Sequence, residues 1–250
     1  MRRWTLIGVS AVVLGFGLVG CSSSEETPAN ASIFKAAPWT GEESYTYNLR
    51  RRGEDSAGSC TLTTGKAQDG KLKLSRLCGK GEFRDDGTVT VDSKTLIPAQ
   101  TVRVFADSKQ NKRSTYTNDY EASGVTFRAD VNGSANQTMR ELPAATAKVA
   151  QPAWYDDEEV LWLVRGINLA SGAKADYTLV INAGQPSIHT VNVRVDPAEE
   201  VSVPGGKFQA WKVRLSRGGN VNYVWVEASG AQRVVKAQIE DVTYELTPPE

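Results

Sequence analysis

The stretch SCTLTTGKAQDGKLKLSRLCG, residues 59–79, shows how the chain folds, because two alternating segments flank a short turn signal. A three-residue loop over residues 68–70, with Gly70 in the left-handed conformation, sets residue 67 opposite residue 71. In that antiparallel register Cys60 lies directly opposite Cys78. The pattern therefore predicts a β-hairpin with one core-facing surface, formed by Cys60, Leu62, Leu72, Leu74 and Cys78.

The two cysteines of this hairpin are predicted to form a disulfide, since directly facing residues can bring their Cβ atoms within bonding reach. An even pair of cysteines normally bonds in an oxidising compartment. By the loop-entropy argument the bridge stabilises the fold by about 3 kcal/mol. The alternative is a redox or metal-binding thiol pair, but Cys60 and Cys78 lack the CxxC spacing of such sites.

Period-two alternation continues through residues 42–247, which we assign to one β-rich domain. Turn signals such as Asp86-Gly87 and Gly218-Gly219-Asn220 separate many of the alternating runs. Single faces are formed by runs such as Tyr45, Tyr47 and Leu49, then Trp211, Val213 and Leu215, then Val221, Tyr223 and Trp225. We predict a mainly β fold: a single antiparallel, strongly curved or barrel-like sheet of about a dozen strands with one covering helix.

The covering helix is predicted over residues 152–172, where the alternation gives way to a helical stripe of Val160, Leu161 and Val164. The four acidic residues 156–159 fall in its first turn, and Arg165 falls in its last. The helix dipole favours both placements. A metal site is the alternative interpretation of four adjacent acids. Electrostatic capping accounts for them without a metal, so no metal site is predicted.

The first residues have the three parts of a secretory signal: Arg2 and Arg3, a short apolar run, and small residues at its end. The run is shorter than the roughly 20 apolar residues of a membrane-spanning helix. Its final residues, Leu18-Val19-Gly20-Cys21, resemble the bacterial lipobox. The resemblance implies a lipoprotein signal peptide over residues 1–20 and lipidation of Cys21. The alternative is an ordinary signal peptide with an incidental cysteine.

Residues 21–41 are predicted to be the lipid anchor and a flexible linker, because they are small, polar and interrupted by proline. Removing residues 1–20 takes two arginines and no acidic residue from a neutral chain, so the mature net charge is −2. Near neutrality argues against a nucleic-acid partner. The predicted partner is the membrane, reached through lipidated Cys21, and the sequence identifies no protein partner.

The predicted location is the cell envelope. No Asp follows Cys21, which favours the periplasmic face of the outer membrane if the cell has two membranes. Otherwise we expect the outer face of the cell membrane.

No motif for catalysis is visible, and we predict no catalytic residue, no cofactor and no enzyme activity. The single histidine, His189, alternates with Val191 and Val193, which favours a packed strand position over catalysis. Aromatic residues are more informative, since tryptophan either fills a core or contacts an apolar ligand. The candidates for ligand contact are Trp154, Trp162, Trp211 and Trp225.

Three motifs follow one another late in the chain. An acidic helix start runs into Trp162-Leu163-Val164-Arg165, a turn and strand follow at residues 203–208 (VPGGKF), and a strand begins Trp225-Val226-Glu227. In this order the chain resembles the secreted β-rich domain-of-unknown-function family 3108 over most of residues 42–246. The resemblance implies a barrel-like envelope fold and brings no catalytic residues. The outline is also similar to the half-barrel lipoprotein carriers of the periplasm, which hold acyl chains under a helix.

Three functions remain open at this point. The first is a non-catalytic binding module for a lipid or other apolar small molecule, held in a concavity of the sheet. The second is an envelope scaffold that binds a protein or the cell-wall glycan. The third is a hydrolase whose carboxylates come from separate strands.

Overall fold

The computed structural model describes residues 33–51, 54, 56–121, 123–141, 154–182 and 186–249. Cys21 and the predicted signal peptide lie outside the described residues. A 3₁₀ turn (Asp157–Glu159) runs directly into the short helix α1 (Val160–Leu163). The strands are β1 (Glu43–Arg51), β2 (Gly58–Thr64), β3 (Lys71–Lys80), β4 (Phe83–Asp92), β5 (Pro98–Asp107), β6 (Lys112–Glu121), β7 (Gly124–Val131), β8 (Ser134–Glu141), β9 (Trp154–Asp156), β10 (Lys174–Ile181), β11 (Ser187–Val203), β12 (Gly206–Arg217), β13 (Asn220–Glu227), β14 (Val234–Ile239) and β15 (Val242–Leu246).

All of these strands belong to one sheet of 15 strands, in the order β8 to β1 and then β15 to β9. Neighbouring strands are antiparallel, except that β9 lies parallel to β10. The first and last strands, β1 and β15, pair with each other in the middle of the sheet. The strands β8 and β9 are its two edges, so the sheet is not closed. The mainly β, single-sheet prediction is confirmed, with more strands than predicted.

The hairpin of β2 and β3 has the predicted register. Cys60 faces Cys78, and the two form a disulfide. The core-facing residues named for this hairpin are all buried. The turn is tighter than predicted, because Asp69 and Gly70 both have positive φ and Gln68 pairs with Lys71. The residues just before Gln68 leave the ladder, which restores the predicted register within the strands.

The predicted helix over residues 152–172 is wrong in extent, since the described α-helix covers only Val160–Leu163. Asp156 is the N-cap of the 3₁₀ turn: its carboxylate accepts from the Glu158 amide at 2.9 Å. The Glu159 carboxylate accepts from the Asp156 amide at 2.7 Å, which completes a capping box. The acidic run therefore caps a turn, as predicted. The Glu158 side chain, however, leaves the turn to bind the sheet.

The short helix lies inside the curved sheet, and all four of its residues are buried. On the inner face of β2, Thr64 accepts a hydrogen bond from the Trp162 indole at 2.9 Å. Because the strands alternate in direction, their connections gather at two ends of the curved sheet. We call the end with the β13–β14 connection the plugged end, and the end with the β12–β13 and β14–β15 turns the open end.

The plugged end is filled by residues 33–41 and by the chain that follows α1. Ile33 and Phe34 are buried, and the Lys35 amide donates to the Gly166 carbonyl at 2.7 Å. A side chain at Gly166 has no room, since its Cβ would lie 2.1 Å from the Phe34 ring. Ile33 and Phe34, which fall within the predicted linker of residues 21–41, are therefore buried against the domain.

Arg165 was predicted in the last turn of a long helix and instead lies beyond α1, at the plugged end. Its guanidinium pairs with Glu43 and donates to the carbonyls of Gln232 and Ala231 at 2.9 and 3.0 Å. Its charge also lies 5.0 Å from the ring centre of Trp39. Bonds to the sheet, rather than a helical repeat, hold this part of the chain.

The sheet curls until β9 and β10 lie against β5 to β7, where side chains rather than a backbone ladder make the contact. The Asp156 carboxylate accepts from Asn118 at 2.8 Å and from Tyr120 at 2.5 Å. Asn182 donates to the Asn118 side chain at 2.7 Å. A second apolar cluster, Val125, Phe127, Trp154 and Val180, packs beside these bonds. We call this contact the seam.

Candidate ligand cavity

A cavity of about 370 Å³ lies between α1 and the open end. Val160 and Leu161 of α1 contribute to its lining, and turn residues such as Glu240 and Asp241 lie at its rim. Its volume falls within the range of small-molecule sites, at the lower end. The remaining lining residues are Arg51, Arg76, Phe83, Asp85, Arg103, Phe105, Asp157, Glu158, Tyr177, Leu179, Ile181, Val191, Leu215, Arg217, Asn222, Ile239, Val242 and Tyr244.

The two sides of the cavity differ in chemistry. Strands β10 to β15 contribute mainly apolar side chains, such as Leu179, Leu215 and Ile239. Strands β3 to β5 and the 3₁₀ turn contribute mostly charged ones, such as Arg76 and Arg103. An apolar wall opposite a small number of fixed polar groups is the usual composition of a small-molecule site.

The centre of the charged wall is a buried ion pair between Arg76 and Glu158, whose side chains are 9% and 5% exposed. The Nε and Nη2 atoms of Arg76 both donate to Glu158 Oε2, at 2.9 and 2.7 Å. A Cβ at Gly87 would lie 2.1 Å from that oxygen, so glycine on β4 makes room for the carboxylate. Buried charges are tolerated only when paired in this way.

Arg103 and Asp85 complete the charged wall. Arg103 donates from Nε and Nη2 to the two Asp85 oxygens, both at 3.0 Å, and its Nη1 lies 3.0 Å from Glu158 Oε1. Asp85 also accepts from Arg76 at 3.0 Å. Burial alone raises the pKa of Asp85, but the bonds from Arg103 and the charge of Arg76 outweigh it and hold that pKa below its usual range. Two arginines and two carboxylates thus neutralise each other.

Two further acids of the 3₁₀ turn are less well paired. Asp157 lines the cavity with 37% of its side chain accessible, and its nearest cation, Arg103, is 4.0 Å away. Burial among protein atoms, helped by the charge of Glu158, raises the pKa of Asp157 to about 7. Glu159 is buried, and one of its oxygens has no hydrogen-bond partner. Burial and the charge of Asp156 raise the pKa of Glu159 well above its ordinary value.

The four tryptophans predicted as ligand contacts do not line this cavity. Trp162 is bonded to Thr64 in the core, and Trp154 belongs to the cluster at the seam. Trp225 is buried with Lys212 and Lys236 over its ring, and Trp211 is partly buried against the core. The aromatic lining instead comes from Phe83, Phe105, Tyr177 and Tyr244.

The sequence analysis did not predict the charged wall, although the period-two alternation places two of its residues on inward-facing positions. Arg76 follows Leu72 and Leu74 at the period-two spacing that was used to predict the core-facing surface of β3. Asp85 likewise precedes Val89 and Val91 at even spacing on β4. A charged residue in an inward register therefore marks a site with an internal partner.

The remaining predicted residues lie away from the cavity. His189 is part-buried on the predicted strand, with its Nε2 3.0 Å from the Ser187 hydroxyl. Cys78 accepts a hydrogen bond from Arg76 at 3.1 Å, so the disulfide adjoins the charged wall. Within the described residues, no three His, Cys, Asp or Glu side chains are placed to hold a metal. In the same part of the chain, no helix is long and apolar enough to cross a membrane.

The family model for proteins of unknown function DUF3108 matches residues 46–246, which is most of the chain. The chain belongs to the DUF3108 family. The match runs from within β1 to the end of β15 and therefore includes the cavity, the seam and the disulfide. The expected resemblance is thus confirmed, and it brings no assigned activity to any residue.

Among solved structures, this DUF3108 chain is similar to a β-barrel-like protein of domain of unknown function DUF1849 from Brucella abortus. The two are 12% identical, with a TM-score of 0.52 over 86% of this chain and 98% of the other. At that identity the likeness establishes a shared barrel-like fold alone. No curated protein matches the chain.

Proposed function

We propose that this protein is a membrane-anchored extracytoplasmic lipoprotein whose domain binds a lipid or other largely apolar small molecule, without catalysis. The observation that carries the proposal is the two-sided cavity at the open end, with apolar strands opposite paired arginines. An unoccupied apolar wall exposed to water is unfavourable by about 25 cal/mol for each Å². A ligand with an apolar body removes that cost, and the fixed polar groups orient it.

The proposed anchor is Cys21, with the membrane as partner and the cell envelope as location. Residues 33–41 run along the plugged end, so a lipid on Cys21 is joined to the domain at the end opposite the cavity mouth. Eleven residues of the sequence separate Cys21 from Ile33. In this arrangement the mouth is turned away from the anchoring membrane.

Binding is tested by filling the cavity. The full chain is purified, stripped of lipid, and titrated with a fluorescent fatty-acid probe. Ile239→Trp adds bulk to the apolar wall and is expected to weaken binding at least tenfold, which is 1.4 kcal/mol. Gln238→Trp is the matched control, since Gln238 is exposed on the other face of β14. Absence of probe binding by the wild-type chain, together with no lipid in its organic extract, contradicts the proposal.

Anchoring is tested separately. Cys21→Ser is expected to release the protein from membranes and to abolish incorporation of labelled palmitate, because two or more acyl chains are needed for durable attachment. Palmitate labelling of the serine variant, or its retention in the membrane after cleavage of the signal, contradicts this assignment.

An envelope scaffold is the second candidate, and β8 favours it. All eight residues of Ser134–Glu141 are exposed, and among the described strands β8 pairs only with β7. An open edge of this kind can accept a further strand from a partner. Crosslinking in cells separates the two functions, since a scaffold gives one dominant protein or glycan adduct.

A further inference from the structure

Arg217 differs from Arg76 and Arg103, the two other arginines of the cavity lining that are mostly buried. Arg76 and Arg103 are each held by two buried or part-buried carboxylates. Arg217 is only 19% exposed, yet its ion pair is with Glu240 at 3.4 Å, and that carboxylate is 66% exposed. A pair with such an exposed partner contributes little. Arg217 is therefore a mostly buried cation that an incoming anion can engage without breaking the charged wall.

Asp157 lines the same cavity and, like Arg217, has no close buried partner of opposite charge. Its closest cation is at 4.0 Å, and 37% of its side chain is accessible to solvent. The charge of Arg217 acts on it, lowering a pKa that burial and Glu158 raise. The other charged or titratable groups around it are Asp156, Arg103 and Tyr177. Near neutral pH Asp157 is available as a hydrogen-bond donor as well as an acceptor.

We propose that the ligand is a single-chain amphiphile with a carboxylate head group, which pairs with Arg217 and shares a hydrogen bond with Asp157. The inference rests on the proposed binding function and names its ligand class. A carboxylate matches the planar fork of a guanidinium with two parallel bonds. The apolar chain lies along Leu179, Leu215 and Ile239, on the wall opposite the paired arginines.

The volume of the cavity and the charges of its lining restrict which amphiphiles fit. A cavity of about 370 Å³ is at the lower end of ligand sites, which favours one chain over the two of a phospholipid. Glu240 and Asp241 lie with Arg217 around the lining. They repel a doubly charged phosphate head group more strongly than a singly charged carboxylate, because the repulsion scales with the charge. A cationic head group is repelled by Arg217, whereas the charges of Arg76 and Arg103 are already neutralised within the charged wall.

The test compares ligands that differ only in the head group. Dodecanoate, dodecanol and dodecylammonium are titrated calorimetrically into the lipid-stripped full chain. Arg217→Gln is expected to weaken dodecanoate binding about tenfold and to change dodecanol binding less than about twofold. Arg214→Gln, an exposed arginine on the other face of the same strand, is expected to change neither.

Asp157→Asn supplies an independent readout. The amide donates at every pH, so the variant is expected to hold dodecanoate with a flatter pH dependence between pH 6 and 8 than the wild-type chain. An Arg217→Gln variant that loses both dodecanoate and dodecanol equally, or neither, overturns the head-group assignment. If dodecylammonium binds more tightly than dodecanoate, and Asp157→Asn abolishes that binding, the head group is a cation and the proposed carboxylate is wrong. If the wild-type chain binds none of the three, the proposed function itself fails.

Discussion

The two ends of the curved sheet are stabilised in different ways. At the plugged end, Phe34 packs on Gly166, and the side chain of Arg165 is 4% exposed among Glu43, two carbonyls and two aromatic rings. At the open end the interior is a cavity, and the nearest stabilising groups are the disulfide and the charged wall. A mouth that has to admit a ligand cannot be filled with side chains. The difference indicates that the open end is stabilised by bonds within the sheet, namely the disulfide and the ion pairs of the charged wall, and not by a filled interior.

The largest expected effect comes from breaking the plugged end. Arg165→Ala leaves Glu43 without its cation and two carbonyls without their donor, and we expect a loss of about 3–5 kcal/mol in the free energy of unfolding. Urea denaturation measures it. Arg194→Ala is the control: its pair with Asp196 is 58% and 29% exposed, so a loss below about 0.5 kcal/mol is expected. If both variants lose the same free energy of unfolding, the bonds of Arg165 at the plugged end are not specially stabilising.

The disulfide is the corresponding test of the open end. Replacing both Cys60 and Cys78 with Ala opens an 18-residue loop and is expected to cost about 3 kcal/mol in the free energy of unfolding. Reducing agent should destabilise the wild-type chain and leave the double variant unchanged. If reducing agent leaves the free energy of unfolding of the wild-type chain unchanged, the disulfide does not stabilise the open end.

A smaller effect is expected from disturbing the charged wall alone. Gly87→Ala places a methyl group 2.1 Å from the present position of Glu158 Oε2, which forces that carboxylate away from Arg76. Overpacking of this kind costs about 1–3 kcal/mol. Gly41→Ala is matched to it, since a Cβ there meets no atom within 4 Å. If both variants unfold at the same urea concentration, the close approach at Gly87 is not what positions Glu158.

The smallest effect is a pH dependence of stability. It tests the open end alone, because it depends on Asp157, a carboxyl group there without a close cation. The pKa of Asp157 rises from 3.8 to about 7 on folding, so its contribution to stability is present below pH 3.8 and is lost as pH rises through 7. Asp157→Asn does not ionise. Relative to that variant, we expect the wild-type chain to lose about 1 kcal/mol between pH 4.5 and 8, a value reduced for the accessibility of the side chain. Thermal melts at both pH values check this, and a constant difference contradicts it.

Local parts of the fold were predictable because they depend on local pattern. The β2–β3 register followed from one turn and from alternation, and it placed Cys60 opposite Cys78. Alternation does not tell which of two faces is the inner one. The run of Val221, Tyr223 and Trp225 was recognised as one face, but none of the three lines the cavity, and two lysines cover Trp225.

The cavity was not predictable in the same way, since its groups meet only through the curvature of the sheet. Arg76 and Glu158 are 82 residues apart, and their pairing required the segment after β9 to enter the sheet. That entry also explains why the helix begins only at Val160. Its acidic residues bond to β3, β5 and the seam, and those bonds compete with helical continuation.

The pairing of β1 with β15 has a consequence for how the molecule assembles. Most neighbours in the sheet are consecutive hairpins, which form quickly because their contacts are local. The β1–β15 ladder instead joins residues such as Tyr47 and Leu246 and must wait for the last strand. A chain that is made or exported from its first residue onward therefore keeps an unpaired edge on β1 until its final residues emerge. The rate-limiting step of folding is expected at this closure. A chain ending before β15 should expose two further aggregation-prone edges, on β1 and β14, besides β8 and β9.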